Sequence, residues 1–218
     1  MIGEFDTYYA QPEVSNSDLT ELWKLFLPAQ FVIDLTKAYR FGNLVDALIT
    51  EPDRCDHLRM RIDNEPFTKE EWAIGLALKK AFFADPFCKQ LFDSSSGQNV
   101  SKKILDIEHD GIGFSLNARC KFDLFNTPAK IGTEIKTTVA TSQEQFEKLI
   151  AHFDYDRAAA WYTDIAEITR YVIIGISKKP PHKIFKVFVK PGDPLYLQGK
   201  EKYQERSFKW FSIMEGIL

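Results

Sequence analysis

The chain has 218 residues, of which 44% are apolar and 14% aromatic, with eighteen phenylalanines. That is enough apolar side chain to fill an α/β-sized core, and it excludes a disordered polymer for most of the length. The formal net charge of −3, from 28 Lys and Arg against 31 Asp and Glu, excludes a protein that coats nucleic acid through bulk charge, and leaves room for a local basic groove beside an acidic site.

In chain order, Met1 to Ser15 reads as an irregular arm. Asp18 with Glu21 marks a helix start, and the helix runs to about Phe26 and stops at Pro28. A second helix covers about Leu35 to Ile49, bounded by Glu51-Pro52. Thr68-Lys69-Glu70-Glu71 is a capping-box pattern. It opens a helix carrying Trp72, Leu76, Leu78, Ala81 and Phe82, which ends near Asp85-Pro86. Asp93 to Gly97 has the composition of a loop.

The period then changes from helical to alternating. Val100 to Glu108, Phe114 to Phe125 and Lys130 to Lys136 read as three strands, joined by turns at His109-Asp110-Gly111 and Asn126-Thr127-Pro128. Ser142-Gln143-Glu144-Gln145 caps a helical region to about Ile168, with a break near His152. Tyr171 to Ile176 and Lys183 to Val189 are two further strands, and the tail from Leu195 is helical in pattern. This order, helices, then βββ-α-ββ, then a helix, predicts an α/β fold with a central mixed β-sheet flanked by helices and an N-terminal helical region. Residues 1–97 form that region, including the first core helix, and residues 98–218 form the sheet-bearing core, in one compact unit overall.

The chemistry concentrates on Asp123 and Glu134-Ile135-Lys136. Glu134 and Lys136 are two apart on a strand, so they share a face, and the neighbouring strand brings Asp123 to them. Two adjacent carboxylates repel unless a cation lies between them. A hard divalent ion accepts oxygen ligands and keeps positions for water and phosphate, and a lysine beside it orients the attacking water or stabilises charge on phosphorus. Alternating charges are also common on solvated strands, so this set gains its meaning from its surroundings.

Three blocks supply them. Phe41-Gly42-Asn43-Leu44-Val45-Asp46-Ala47-Leu48-Ile49-Thr50-Glu51-Pro52, the strand ending Arg119-Cys120-Lys121-Phe122-Asp123, and Glu134-Ile135-Lys136-Thr137-Thr138 followed by Phe146, Ile150 and Tyr155 to Tyr162 occur in this order. In order and spacing they resemble the RecE-type exonucleases of the PD-(D/E)XK nuclease superfamily, over roughly residues 41–189. The resemblance implies a restriction-endonuclease-like core and a Mg²⁺- or Mn²⁺-dependent deoxyribonuclease acting on linear duplex DNA in recombination, repair or phage DNA metabolism. It implies metal ligation by Asp123 and Glu134, with the Ile135 carbonyl as a further ligand, and catalysis by Lys136. Asp46 stands where the family has a helical His: it is either a substitute hard-metal ligand or a solvated helix residue. Ala158 stands where many relatives have Gln, and Lys102 where an acidic residue often precedes the first strand. A single-strand annealing protein and further copies of the chain are the partners the family implies. A catalytically silent nuclease fold that binds DNA or protein, and a structure-specific or single-strand nuclease of RecB type, remain as alternatives.

For DNA contact the candidates are Arg119 and Lys121, which alternate toward the Asp123 side, with Thr137, Thr138, Tyr155, Arg157 and Tyr162. The two threonines read equally as strand filling. The lysines from Lys178 to Lys190 either track phosphates or keep a sheet edge soluble. Cys55, Cys88 and Cys120 include no C-x-x-C pair, which argues against a zinc ribbon and for a reduced, intracellular setting; the resemblance implies the cytoplasm of a bacterial or phage-infected cell. No signal peptide is expected at the N-terminus and no membrane span anywhere.

Overall fold

The structure, a computed structural model, describes Tyr8 and residues 10–28, 35–57, 60–62 and 65–217. The expected irregular arm lies partly outside these residues. Its described part is tied down, because Val14 bridges to Ala118 in parallel.

Helix α1, Asn16–Lys24, starts earlier than the Asp18–Glu21 pattern suggests. Ser15 is the N-cap: its hydroxyl accepts the Asp18 N–H at 3.2 Å while the Asp18 carboxylate accepts the Ser15 N–H at 2.8 Å. Helix α2, Thr36–Thr50, is followed by a 3₁₀ turn at Pro52–Arg54 and a two-residue hairpin, β1 (Arg61–Ile62) with β2 (Glu65–Pro66). Helix α3, Lys69–Ala84, carries the expected capping box at Thr68 and Glu71. It ends where expected, with Asp85 as C-cap, and Pro86 then sits in the first turn of a helix absent from the sequence reading, α4, Pro86–Asp93, whose N-cap Asp85 accepts the Cys88 N–H at 3.0 Å.

The main sheet has the order β3 (Ser96–His109), β4 (Ile112–Asn126), β5 (Ile131–Thr138), β6 (Arg170–Ser177), β7 (Ile184–Val189). β3, β4 and β5 form an antiparallel meander. β5 and β6 pair in parallel through the crossover helices α5 (Gln143–His152) and α6 (Tyr155–Ala166), and β7 returns antiparallel. The expected break near His152 is the α5–α6 junction. Helix α7, Pro194–Met214, completes the chain.

Alternation along the strands divides the core between the two faces of the sheet. Val172, Ile174 and Ile176 of β6, with Leu124 and Ile135, pack on Leu44 and Leu48 of α2 and Leu78 and Phe82 of α3. Tyr171 and Ile173, with Leu105, Ile107 and Phe122, pack on Phe146, Trp161 and Tyr203 of α5, α6 and α7. The result is a five-stranded mixed sheet with helices on both faces, as predicted. Among the described residues no helix is long and apolar enough to cross a membrane.

Candidate active site

The site lies where the sheet comes apart. β4 pairs with β5 only at Leu124↔Thr133, Phe125↔Gly132 and Asn126↔Ile131. One residue further, the Asp123 carboxylate replaces the missing strand partner and accepts the Ile135 N–H at 2.6 Å. On the other side of β4, the β3 pairing steps from Gly97↔Leu124 to Asn99↔Phe122, so Gln98 faces Asp123 without a ladder bond. Gln98 has φ 51°, the left-handed region. β4 is therefore loosened from both neighbours at Asp123.

Glu134 and Lys136 project from β5 on the face covered by α5 and α6, and their side chains form a close ion pair. The Tyr171 hydroxyl donates to Glu134 Oε2 at 2.7 Å, and the Lys136 ammonium lies 5.2 Å from the centre of the Tyr155 ring. Asp46 comes from the opposite layer. In α2 the apolar residues Leu44, Val45, Leu48 and Ile49 are buried on the sheet, which leaves Asp46 and Thr50, one turn apart, on the flank beside β3. Gln98 Nε2 donates to Asp46 Oδ2 at 3.0 Å and the Thr50 hydroxyl lies 3.2 Å from Oδ1.

The electrostatics follow from this crowding. Burial holds the Asp123 carboxyl well above the usual carboxylate range, and the charges of Asp46 and Glu134 push it further, against Lys136 and the Ile135 N–H. Burial also raises Asp46, opposed by the bonds from Gln98 and Thr50 and by the charge of Lys121. For Lys136 burial works against the charge, but Glu134 foremost, then Tyr155 and Asp123, reverse the balance, so the ammonium keeps its proton more tightly than a free lysine.

The structure thus gathers Asp46, Asp123, Glu134, Ile135, Lys136 and Tyr155, with Lys121 near enough to act on Asp46. Tyr162 is close by but packs edge-on against Phe122 and Tyr171. Thr137 falls on the face of β5 away from Lys136. Three of the expected DNA-contact residues are buried and engaged elsewhere. Arg119 is 1% exposed: it donates to the Gln11 carbonyl at 2.6 Å, pairs with Asp18 at 3.2 Å and lies over the Tyr8 ring. Arg157 is equally buried and donates to the Thr20 hydroxyl at 2.5 Å on the α1 side. Thr138 is buried and its hydroxyl accepts the Ala140 N–H at 3.1 Å. All three pack between elements, away from the solvent-facing surface. Lys102 pairs with Glu13.

Sequence reasoning passed over Gln98, Thr50 and Tyr171. Gln98 adjoins a Ser-rich stretch that reads as loop. Tyr171 reads as core, although a buried tyrosine hydroxyl needs a partner, and that was the available signal.

Among the described residues no three His, Cys, Asp or Glu side chains stand ready as a metal cage. Glu134 contacts Lys136 and Tyr171. Asp46 and Asp123 are hard oxygen donors, however, and the Ile135 carbonyl points to the same strand edge as its N–H, toward Asp123. One or two carboxylates with water and phosphate oxygens suffice for Mg²⁺, so this donor set fits such an ion. A groove of about 640 Å³, lined by Lys103, Asp106, Lys200 and Tyr203 among others, contains none of these residues. Its Asp164 is already held by Tyr196, Tyr203 and Lys200.

No protein-family model matches the chain, and no curated protein matches it. A phage-related exonuclease from Haemophilus somnus aligns over 85% of this chain and 86% of that one, at 11% identity and a TM-score of 0.41, too low to support an argument. The crystal structure of a candidate exonuclease from Eubacterium rectale superposes over 99% of this chain and 86% of that one, at 13% identity and a TM-score of 0.71. The chain shares the fold of that structure, an α/β arrangement with a mixed five-stranded sheet between helices.

Proposed function

We propose that the chain is a metal-dependent deoxyribonuclease of the RecE-type exonuclease group, hydrolysing phosphodiester bonds from the end of linear duplex DNA. The observation that carries this reading is the meeting of Asp46, Asp123, Glu134 and Lys136, from three separate elements, at the loosened edge of β4. The shared fold with a structure described as a candidate exonuclease supports it.

In this reading Asp46, Asp123, Glu134 and the Ile135 carbonyl would hold Mg²⁺ or Mn²⁺. The ion supplies Lewis-acid stabilisation of the phosphate and lowers the pKa of water. Lys136 stays charged through the neutral range and presents its ammonium beside the reacting phosphate, where it stabilises the added negative charge. Glu134 balances that charge and is fixed by Tyr171. The Tyr155 ring covers one side of the ammonium and limits its movement. Lys121, whose charge acts on Asp46, would meet a DNA phosphate beside the site. A single-strand annealing partner and assembly of several copies belong to the same reading.

The test is digestion of linear, nicked and circular duplex DNA with Mg²⁺ or Mn²⁺, and with EDTA. Metal-dependent loss of the linear substrate alone supports the exonuclease. Cleavage of circles points to a RecB-like or structure-specific nuclease. DNA binding without cleavage under any metal identifies a silent fold, the reading that Asp46 in place of the family's His and Ala158 in place of its Gln would favour.

A further inference from the structure

We propose that Gln98 is a positioning residue of this site, holding the Asp46 carboxylate so that it and Asp123 address one cation. The inference rests on the metal-site reading above and extends it to a residue outside the ligand set.

Three features converge on Gln98. Its place in the hairpin is singular: the β3–β4 register is continuous from Ser96↔Phe125 to His109↔Ile112 except at the Gln98–Asp123 position. Its backbone is in the left-handed region at φ 51°, which non-glycine residues adopt at a cost and which persists where the surroundings require it. Its side-chain amide then reaches across to α2 and donates to Asp46 Oδ2 at 3.0 Å and to the Thr50 hydroxyl at 2.9 Å.

The donor bookkeeping gives these contacts a direction. Because Gln98 donates to Thr50 Oγ1, the Thr50 proton is free to point at Asp46, whose carbonyl and Oδ1 lie 2.9 and 3.2 Å away. Asp46 Oδ2 is thus held by Gln98, Oδ1 lies within reach of the single Thr50 proton, which it shares with the Asp46 main-chain carbonyl, and both carboxylate oxygens keep a lone pair for a further partner. The clamp is also uncharged. A lysine or arginine at position 98 would fix Asp46 equally well but cancel the charge needed to hold a cation, whereas an amide orients the carboxylate and leaves its charge intact. Gly97 allows the approach, because a Cβ there would stand 3.2 Å from the Thr50 carbonyl.

The experiment is calorimetric titration of Mn²⁺ into the full chain without DNA, comparing wild type, Gln98→Met, Thr50→Val and Asp123→Asn, with circular dichroism as a fold control. Methionine keeps the length of glutamine and loses the donors. Gln98→Met is expected to weaken Mn²⁺ binding by about tenfold or more, the scale at which partners of metal ligands act, with unchanged helix content. Thr50→Val is expected to weaken it less, in the same direction, and it carries the test alone if Gln98→Met does not fold. Wild-type affinity in the folded variants, with Asp123→Asn abolishing binding, overturns the role of Gln98 and leaves the metal site standing. A wild-type chain that binds no Mn²⁺ overturns both.

Discussion

Asp123 and Ile135 are joined by a bond in which a side chain does what a strand would do: the carboxylate accepts the Ile135 N–H at 2.6 Å, one step beyond the end of the β4–β5 ladder. The bond satisfies a backbone donor that the widening gap would leave unpaired. It also holds a charge in a place already crowded by Asp46 and Glu134. Fold and site therefore pull on the same group in opposite directions.

That conflict sets a pH dependence. Burial foremost, then Asp46 and Glu134, raise the Asp123 pKa in the folded chain above the ordinary aspartate value of 3.8 that holds in the unfolded chain. Above that value the folded state binds more protons than the unfolded state, so the contribution of Asp123 to stability falls as pH rises toward its folded pKa. Asp123→Asn keeps an oxygen acceptor for Ile135 and removes the charge. In EDTA at pH 7 this variant is expected to melt higher than wild type, by about 2–4 °C per kcal/mol of relieved repulsion, and the gap should close near pH 3. Mg²⁺ should raise the wild-type melting temperature and leave the variant unmoved. Scanning calorimetry decides it: a lower melting temperature for the variant at pH 7 contradicts the account.

Lys136 places its ammonium in direct contact with the Glu134 carboxylate. Lys136→Met keeps much of the side-chain volume and removes the charge. A loss of about 10²–10³ in kcat is expected, the scale for removing one stabiliser of transition-state charge, with DNA affinity changed little. Single-turnover rates on end-labelled duplex measure it, and wild-type turnover would remove Lys136 from the mechanism.

Tyr171 separates core packing from positioning. Its ring lies in the core, edge-on to Tyr162, and its hydroxyl donates to Glu134 at 2.7 Å. Tyr171→Phe retains the ring. A hydrogen bond to a charged group contributes about 1.5–3 kcal/mol, and part of that loss should appear as about a tenfold fall in kcat as Glu134 shifts. Unchanged kcat with a lowered melting temperature would make the hydroxyl a purely structural contact.

The architecture was legible because its signals are local. The alternation in Ile131 to Lys136, the capping box at Thr68 and the break at His152 each depend on a few adjacent residues, and each reappears in the fold. Helix α4 escaped because Pro86 was read as a terminator when it serves as a first-turn residue. The Asp123, Glu134 and Lys136 set was visible by spacing and by resemblance. Its support was not, because Gln98, Thr50 and Tyr171 become meaningful only when strand register and helix flank are known. Arg119 failed for a long-range reason. Alternation along β4 placed it beside Lys121, but residues about a hundred positions away, Gln11 and Asp18, return to cover it.

Two glycines should respond in opposite ways to the same change. Gly199 of α7 meets α6 so closely that an added Cβ would fall 2.0 Å from the Asp156 carbonyl oxygen and 2.9 Å from the Arg157 nitrogen, both backbone atoms. Gly199→Ala must therefore part the helices, and overpacking of this kind costs about 1–3 kcal/mol or more. The strain should reach the site, because Lys202 and Arg206 of α7 hold Asp154, the residue just before Tyr155, at 3.0 and 2.6 Å. Gly42, inside α2, has no atom within 4 Å of an added Cβ. There alanine only reduces the freedom of the unfolded chain, and a gain of about 0.5–1 kcal/mol is expected. Denaturant unfolding of both variants, with cleavage assayed in parallel, checks the pair. Gly199→Ala should lose stability and some activity together, while Gly42→Ala gains stability with activity intact. A stable Gly199→Ala would contradict the close α6–α7 approach that sets Tyr155 over Lys136.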